Sequence, residues 1–294
     1  MPFAFSALPS PLLSLWRQSA SIAFLALGST ACTAKIPLPS APSSSPTSIQ
    51  VKNPTRSTQG FSQCPQFFAN GKPPVLNDQP KLRALCYDAF AVLHSGQSKT
   101  PVFVAQRLNK ALVEDADEKR TNRFYSDARL PRDERAELDD YKRSGYSRGH
   151  MAPAGDMPTA QAMAQSFSLA NMVPQSIKQN GGPWARIEKD TRNYAKRAPG
   201  DVYVITGPVF SNDAGTVGGN QVRVPSFLYK LVYDAQSQRA WAHWQANDDA
   251  ARVTQPISYE ELVRRTGIDF LPGSMLQTAG KLQQVSLPGT TRTH

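Results

Sequence analysis

Between Ser147 and Glu188 the chain gathers side chains suited to one kind of chemistry. His150 follows Arg148 and Gly149 and precedes a proline-containing loop. Its imidazole, with an ordinary pKa of about 6.5, suits a base at neutral pH. Arg148 offers a planar fork of N–H donors that matches phosphate oxygens. Thirty residues beyond the histidine comes Asn180, and then Glu188. Hydrolysis of a phosphodiester needs a deprotonated water, a cation beside the developing charge and donors on the non-bridging oxygens. A base, oxygen donors for a cation and a guanidinium are all present here. His94 and His243 lie inside apolar, strand-like runs and read as structural, whereas the glycine and proline around His150 set it apart.

Three blocks extend this pattern: Ser-Arg-Gly-His-Met-Ala-Pro-Ala at 147–154, Ser-Phe-Ser-Leu-Ala-Asn-Met-Val-Pro-Gln at 166–175, and Asn-Gly-Gly-Pro-Trp-Ala-Arg-Ile-Glu at 180–188. In this order they resemble the DNA/RNA non-specific endonuclease family of the ββα-metal superfamily, over about Cys64 to about Pro272. The resemblance implies His150 as general base and Asn180 as direct ligand of Mg²⁺, with Mn²⁺ as a substitute. It makes Glu188 a holder of waters around the metal, and Asn171 a group near the scissile phosphate. Arg148 would bind the phosphate together with an upstream arginine, Arg120 or Arg123, of which Arg123 is the favoured choice. Magnesium keeps several waters and binds through one or two protein groups, so a single asparagine suffices. The substrates implied are DNA and/or RNA, cut without sequence preference to leave 5′ phosphates.

Each residue also has an ordinary structural role open to it. Asn180 can cap a helix, Glu188 can pair with Arg192 one turn on, and Asn171 can form a turn before Pro174. The chain departs from the family pattern at Ser147, where the motif usually begins with aspartate, which weakens or relocates any carboxylate help there. Gly181-Gly182-Pro183 is an unusual way into a helix and puts the placement of Asn180 in question. Two other functions stand beside hydrolysis of polynucleotides: a catalytically silent nucleic-acid-binding lipoprotein, and a phosphodiesterase for small nucleotide derivatives.

The 294 residues carry a formal net charge of +10, which favours polyanionic partners and salt-sensitive, sequence-independent binding. Arg17, the apolar run 20–27 and the small residues 28–31 before Cys32 read as an export signal over 1–32. That run is too short to span a bilayer, which takes about 20 residues. Either Cys32 bears a lipid as a membrane anchor, or the signal is cleaved in the ordinary way near Ala31 or a little beyond. Residues 33–60 are rich in proline and serine and lack acidic residues, a flexible linker. The endonuclease domain is expected over 61–273, with a tail over 274–294. With Cys32 processed, Cys64 and Cys86 form an even pair, either disulfide-bonded in an oxidising compartment or buried as free thiols.

The elements that must position these residues are legible from pattern. Apolar runs at 82–94 and 101–108 flank a Gly-containing turn and predict antiparallel strands, whereas residues 114–146 predict irregular surface structure. A short helix is expected within 157–169 and a longer one over 184–197, with Pro183 in its first turn and Asn180 at or just before its start. Strands are expected at 201–210, 222–233 and 239–245. A capped amphipathic helix ended by glycine is expected over 257–267, and little structure beyond Pro272. The class is α+β: a ββα-metal core within a mostly antiparallel sheet, flanked by helices.

Overall fold

The computed structural model describes residues 60–278 and 281–284. The expected export signal, Cys32 and all of the linker except Gly60 lie outside these residues. The described chain opens with strands β1 (Leu82–Cys86), β2 (Ala91–Ser95) and β3 (Thr100–Leu108), then the short helices α1 (Lys110–Glu114) and α2 (Leu138–Tyr141). A second region follows: β4 (Tyr146–His150), α3 (Ala160–Ser166), β5 (Met172–Ser176), α4 (Ile177–Gln179), a wide turn Asn180–Trp184, and α5 (Ala185–Arg197). The chain returns through β6 (Val202–Val209), a hairpin of β7 (Thr216–Val217) and β8 (Val222–Arg223), then β9 (Phe227–Asp234), β10 (Arg239–Ala246) and β11 (Ile257–Ser258). Helix α6 (Tyr259–Thr266) and the hairpin β12 (Met275–Thr278) and β13 (Lys281–Gln284) close it.

One sheet of seven strands, in the order β1-β2-β3-β6-β9-β10-β11, organises the molecule. Every neighbouring pair in it is antiparallel. Successive side chains on a strand point to opposite faces. Leu93, Phe103 and Leu231 therefore pack with Phe61, Phe68, Leu262 and Phe270 on one face. Val92, Val104 and Leu228 pack on the other with Met151, Met157, Phe167, Trp184 and Ile187. The region from β4 to α5 is thus a layer laid on the second face, seated by Phe167 and Trp184, both fully buried. Burying each contributes on the order of 1.5–3 kcal/mol.

The α+β class with a mostly antiparallel sheet is observed, with five local differences from pattern reading, one being that the strand expected over 222–233 is broken into β8 and β9. The run 82–94 folds as two strands, because Tyr87 N–H donates to the Phe90 carbonyl and turns the chain between them. Irregular structure does prevail over 114–146, yet Asp127, Leu130, Glu134, Ala136 and Tyr141 within it are buried. Helical structure begins at Ile177 rather than near Pro183, so Asn180 sits inside it with φ −61°, and its side chain bonds Ser147 instead of capping a helix start. Pro183 has no N–H to donate and is accommodated because the turn widens to a π-helical one, with Ala185 N–H reaching the Asn180 carbonyl. Past Pro272 the fold continues: Leu276 is buried, and Tyr233 Oη donates to the Met275 carbonyl at 2.9 Å.

Candidate active-site cleft

Strands β4 and β5 pair in the register Ser147 to Gln175 and His150 to Met172, and the helical segment beginning at Ile177 follows at once. Gly149 is required by close approach, since a Cβ there would run into the Gln175 amide. The Ser147 hydroxyl donates to the Gln175 carbonyl at 2.9 Å and accepts from Asn180 Nδ2 at 3.0 Å. The hydroxyl standing in place of the family's aspartate therefore ties Asn180 to the hairpin. The amide oxygen of Asn180 is left without a hydrogen bond among the described residues, on a side chain that lines a cleft of about 660 Å³.

His150 is 7 % exposed, and its Nε2 is buried without a hydrogen-bond partner among the described residues. The imidazole packs against Phe124 at 5.8 Å and against Phe167 at 5.0 Å between ring centroids. Each of these rings carries a guanidinium, Arg148 over Phe124 at 4.0 Å and Arg120 over Phe167 at 5.0 Å. Burial, and then the positive charge of Arg120 and Arg148, push the imidazole down to about 3. It is therefore neutral, and an available proton acceptor, throughout the physiological range. Arg120, Phe124, Ser147, Arg148 and Asn180 all line the cleft, and His150 sits directly behind Phe124.

Glu188 lies two turns along the helix. Burial raises its carboxyl to about 7, against the pull of Lys230, Arg192 and Arg120. Arg120 acts electrostatically on both Glu188 and His150, so the two share one neighbourhood. The surface pairing of Glu188 with Arg192 is not formed, because Arg192 bonds Asp156 at 2.8 Å. Beneath the helix, Lys230 of β9 is 1 % exposed, donates to Thr206 at 2.8 Å and lies 5.4 Å from the centroid of the Trp184 ring.

Two of the expected roles change. Arg123 is exposed and does not line the cleft; its neighbour Arg120 does. The reason is the local anchoring of this loop: Tyr125 pairs with Ser168, and Asp127 accepts from Tyr87 at 2.6 Å and from Arg129. Asn171 is fully buried, and its amide is wholly engaged with the main chain. Its Oδ1 accepts from Ala152 N–H at 2.8 Å, and its Nδ2 donates to the carbonyls of Ala152 and Ser166, each at 2.9 Å. It braces the segment behind His150 and is not a substrate-facing group. His94 is structural as expected, its Nε2 meeting the Glu134 carbonyl at 2.8 Å. Sequence reading passed over Phe124 and Lys230. A lone lysine in the apolar run Phe227–Asp234 was the available signal for the second; nothing in the sequence singles out the first.

The donor set permits a test against a metal. Among the described residues no cluster of three or more His, Cys, Asp or Glu side chains could hold an ion. The Asn180 amide oxygen and the Glu188 carboxylate are few and oxygen-only, which fits a hard cation that keeps most of its waters.

Residues 72–275 match the family model described as DNA/RNA non-specific endonuclease. The chain belongs to the DNA/RNA non-specific endonuclease family. This family member is 37 % identical over 224 residues to the mitochondrial nuclease EXOG of Danio rerio, a match covering 67 % of this chain and 63 % of that one. It is 36 % identical over 166 residues to the EXOG of Homo sapiens, covering 52 % and 45 %. Against nuclease C1 of Cunninghamella echinulata var. echinulata it is 30 % identical over 216 residues, covering 66 % and 85 %. The chain thus spans about half the length of the human nuclease it matches. In three dimensions it resembles a chain of the crystal structure of the EndoG/EndoGI complex, with a TM-score of 0.57 and 25 % identity over 64 % of this chain and 84 % of that one.

Proposed function

We propose that this protein is a metal-dependent endonuclease that hydrolyses phosphodiester bonds of DNA and/or RNA without sequence preference, leaving 5′ phosphates. One observation carries the reading. A buried imidazole with an unpaired Nε2 packs against two aromatic rings, each carrying a guanidinium, beside a cleft lined by the tethered Asn180. His150 Nε2 takes the proton of the attacking water. Arg148 and Arg120 hold non-bridging oxygens of the phosphate, each stiffened by the ring beneath it. Asn180 would hold Mg²⁺, with Mn²⁺ as a substitute, and Glu188 would hold waters around it. When bound, the ion supplies neutralising charge at the phosphate. Contacts of this kind reach the backbone and not base edges, hence the absence of sequence preference.

The Cys64–Cys86 disulfide supports a proposal of export to an oxidising compartment, either the periplasm or cell envelope, with or without a lipid anchor on Cys32, or the medium outside the cell. Digestion of circular single-stranded and supercoiled DNA, with and without Mg²⁺, tests the activity. Mg²⁺-dependent cutting of both is expected, with His150→Ala slower by about 10²–10⁴. Binding without cleavage would leave the silent binding protein as the answer, and turnover confined to small diesters would leave the phosphodiesterase.

A further inference from the structure

The cleft has a second charged wall that the chemistry above does not use. Lys142 and Arg143 line it opposite no carboxylate other than the exposed Asp139. Both side chains are exposed, and neither has an ion pair, a hydrogen bond or an aromatic contact among the described residues. Long cations left unpaired in a cleft favour an anion from outside the protein.

Their backbone is built rather than loose. Arg143 holds φ +57° and Gly145 φ +81°, a left-handed course that a non-glycine residue seldom adopts. Ser144 Oγ donates to the Tyr141 carbonyl at 2.9 Å and accepts from Tyr146 N–H at 3.2 Å, closing the turn. Behind it, Asp140 is 2 % exposed and accepts from Glu137 N–H, Asn220 N–H and Asn220 Nδ2. Gly218 packs so closely on Asp140 that a Cβ there would collide with it. The β7–β8 hairpin thus clamps α2 and fixes where the turn presents its two cations.

We infer that Lys142 and Arg143 form a phosphate subsite away from the scissile bond, which takes a backbone phosphate of the strand being cut. This rests on the endonuclease reading of the cleft. Arg143 and Arg148 are five residues apart, so their Cα atoms are separated by at most ~18 Å. Phosphates of one strand advance ~3.4 Å each along a helix axis. The subsite therefore engages a phosphate within a handful of nucleotides of the cut.

The test measures binding without Mg²⁺, by fluorescence anisotropy, of a labelled oligothymidylate of about twelve nucleotides and of the corresponding dinucleotide. Lys142→Gln combined with Arg143→Asn is the informative variant, because asparagine tolerates the left-handed backbone and keeps the turn. The expected result is affinity for the longer strand lowered at least tenfold, with its salt slope reduced by about 1.4 for two lost single-strand phosphate contacts. The dinucleotide should change less than twofold, and Arg143→Lys should restore part of the loss. An unchanged salt slope, or equal losses for both ligands, overturns the subsite. Cleavage of long DNA by the wild-type protein is read separately, so failure of the hydrolytic reading is seen apart from failure of the subsite.

Discussion

Ser147, a residue that departs from the family motif, tethers the Asn180 amide that is proposed to hold the metal. Ser147→Ala removes two hydrogen bonds at once, one to the Gln175 carbonyl and one from Asn180 Nδ2. At a net ~0.5–1.5 kcal/mol each, the fold loses about 1–3 kcal/mol, less if the two bonds through one oxygen are coupled. The effect on the cation is separable from this. Untethered, the Asn180 side chain redistributes over roughly three to six rotamers, which costs about 0.6–1.1 kcal/mol to reverse on binding. That predicts Mg²⁺ or Mn²⁺ affinity weaker by about three- to sixfold, against a loss above tenfold for Asn180→Ala, which removes the oxygen itself. Calorimetric titration of folded Ser147→Ala, Ser147→Thr and Asn180→Ala with Mn²⁺ measures all three, and threonine should retain near wild-type affinity. If Ser147→Ala binds the ion like wild type while Asn180→Ala does not, the amide is held by something else and the tether has no function.

Four other outcomes are expected. Glu188, raised to about 7 by burial, should set the acid limb of kcat/KM; the limb should move to lower pH as Mg²⁺ is increased, and Glu188→Gln should abolish it. His150 and His94 are held neutral down to about 3 and about 4 respectively. The unfolded chain takes up those protons near pH 6.5, so stability should fall as pH drops from about 6.5 towards 4, by at most ~1.4 kcal/mol per unit for each histidine. Denaturant melts at stepped pH that stay flat over this window would contradict that burial. Replacing both Cys64 and Cys86 by serine opens a loop of 22 residues and should cost ~3 kcal/mol, read as a lower melting temperature with cleavage intact below it. Asn171→Ala should destabilise by about 2–4 kcal/mol, since it strands the Ala152 amide and two carbonyls, and Asn171→Asp should fail to rescue it, because a carboxylate cannot donate to them.

Reading the sequence reached different depths in different places, for reasons that trace to particular elements. Strands β6, β9 and β10 and helix α6 were legible because alternation, the Ser258 cap and Gly267 act within a few residues. The β4–β5 hairpin was not legible as strands: its motif is polar and contains Gly149 and Pro174, and only pairing across the hairpin holds it extended. The choice between Arg120 and Arg123 was equally hidden, since both are exposed-type residues in one charged loop, and distant anchors at Ser168 and Tyr87 decide which faces the cleft. Asn171 misled in the opposite direction. An asparagine inside a motif reads as chemistry, yet its three bonds to buried main chain make it a brace.

By itself the amino-acid sequence determined the family, the α+β class, the identity of His150, Arg148, Asn180 and Glu188 as the residues to watch, and the pairing open to Cys64 and Cys86. The class and the cysteine pairing follow from residue type and short-range pattern, the family and the site residues from the resemblance of three motif blocks. Only the tertiary structure decided that Ser147 tethers Asn180, that His150 packs against Phe124 and Phe167, each with a guanidinium over its ring, and that Lys142 and Arg143 stand unpaired on the same cleft. Those facts depend on which distant segments the sheet brings into contact, and burial and charge act across space without regard to separation along the chain.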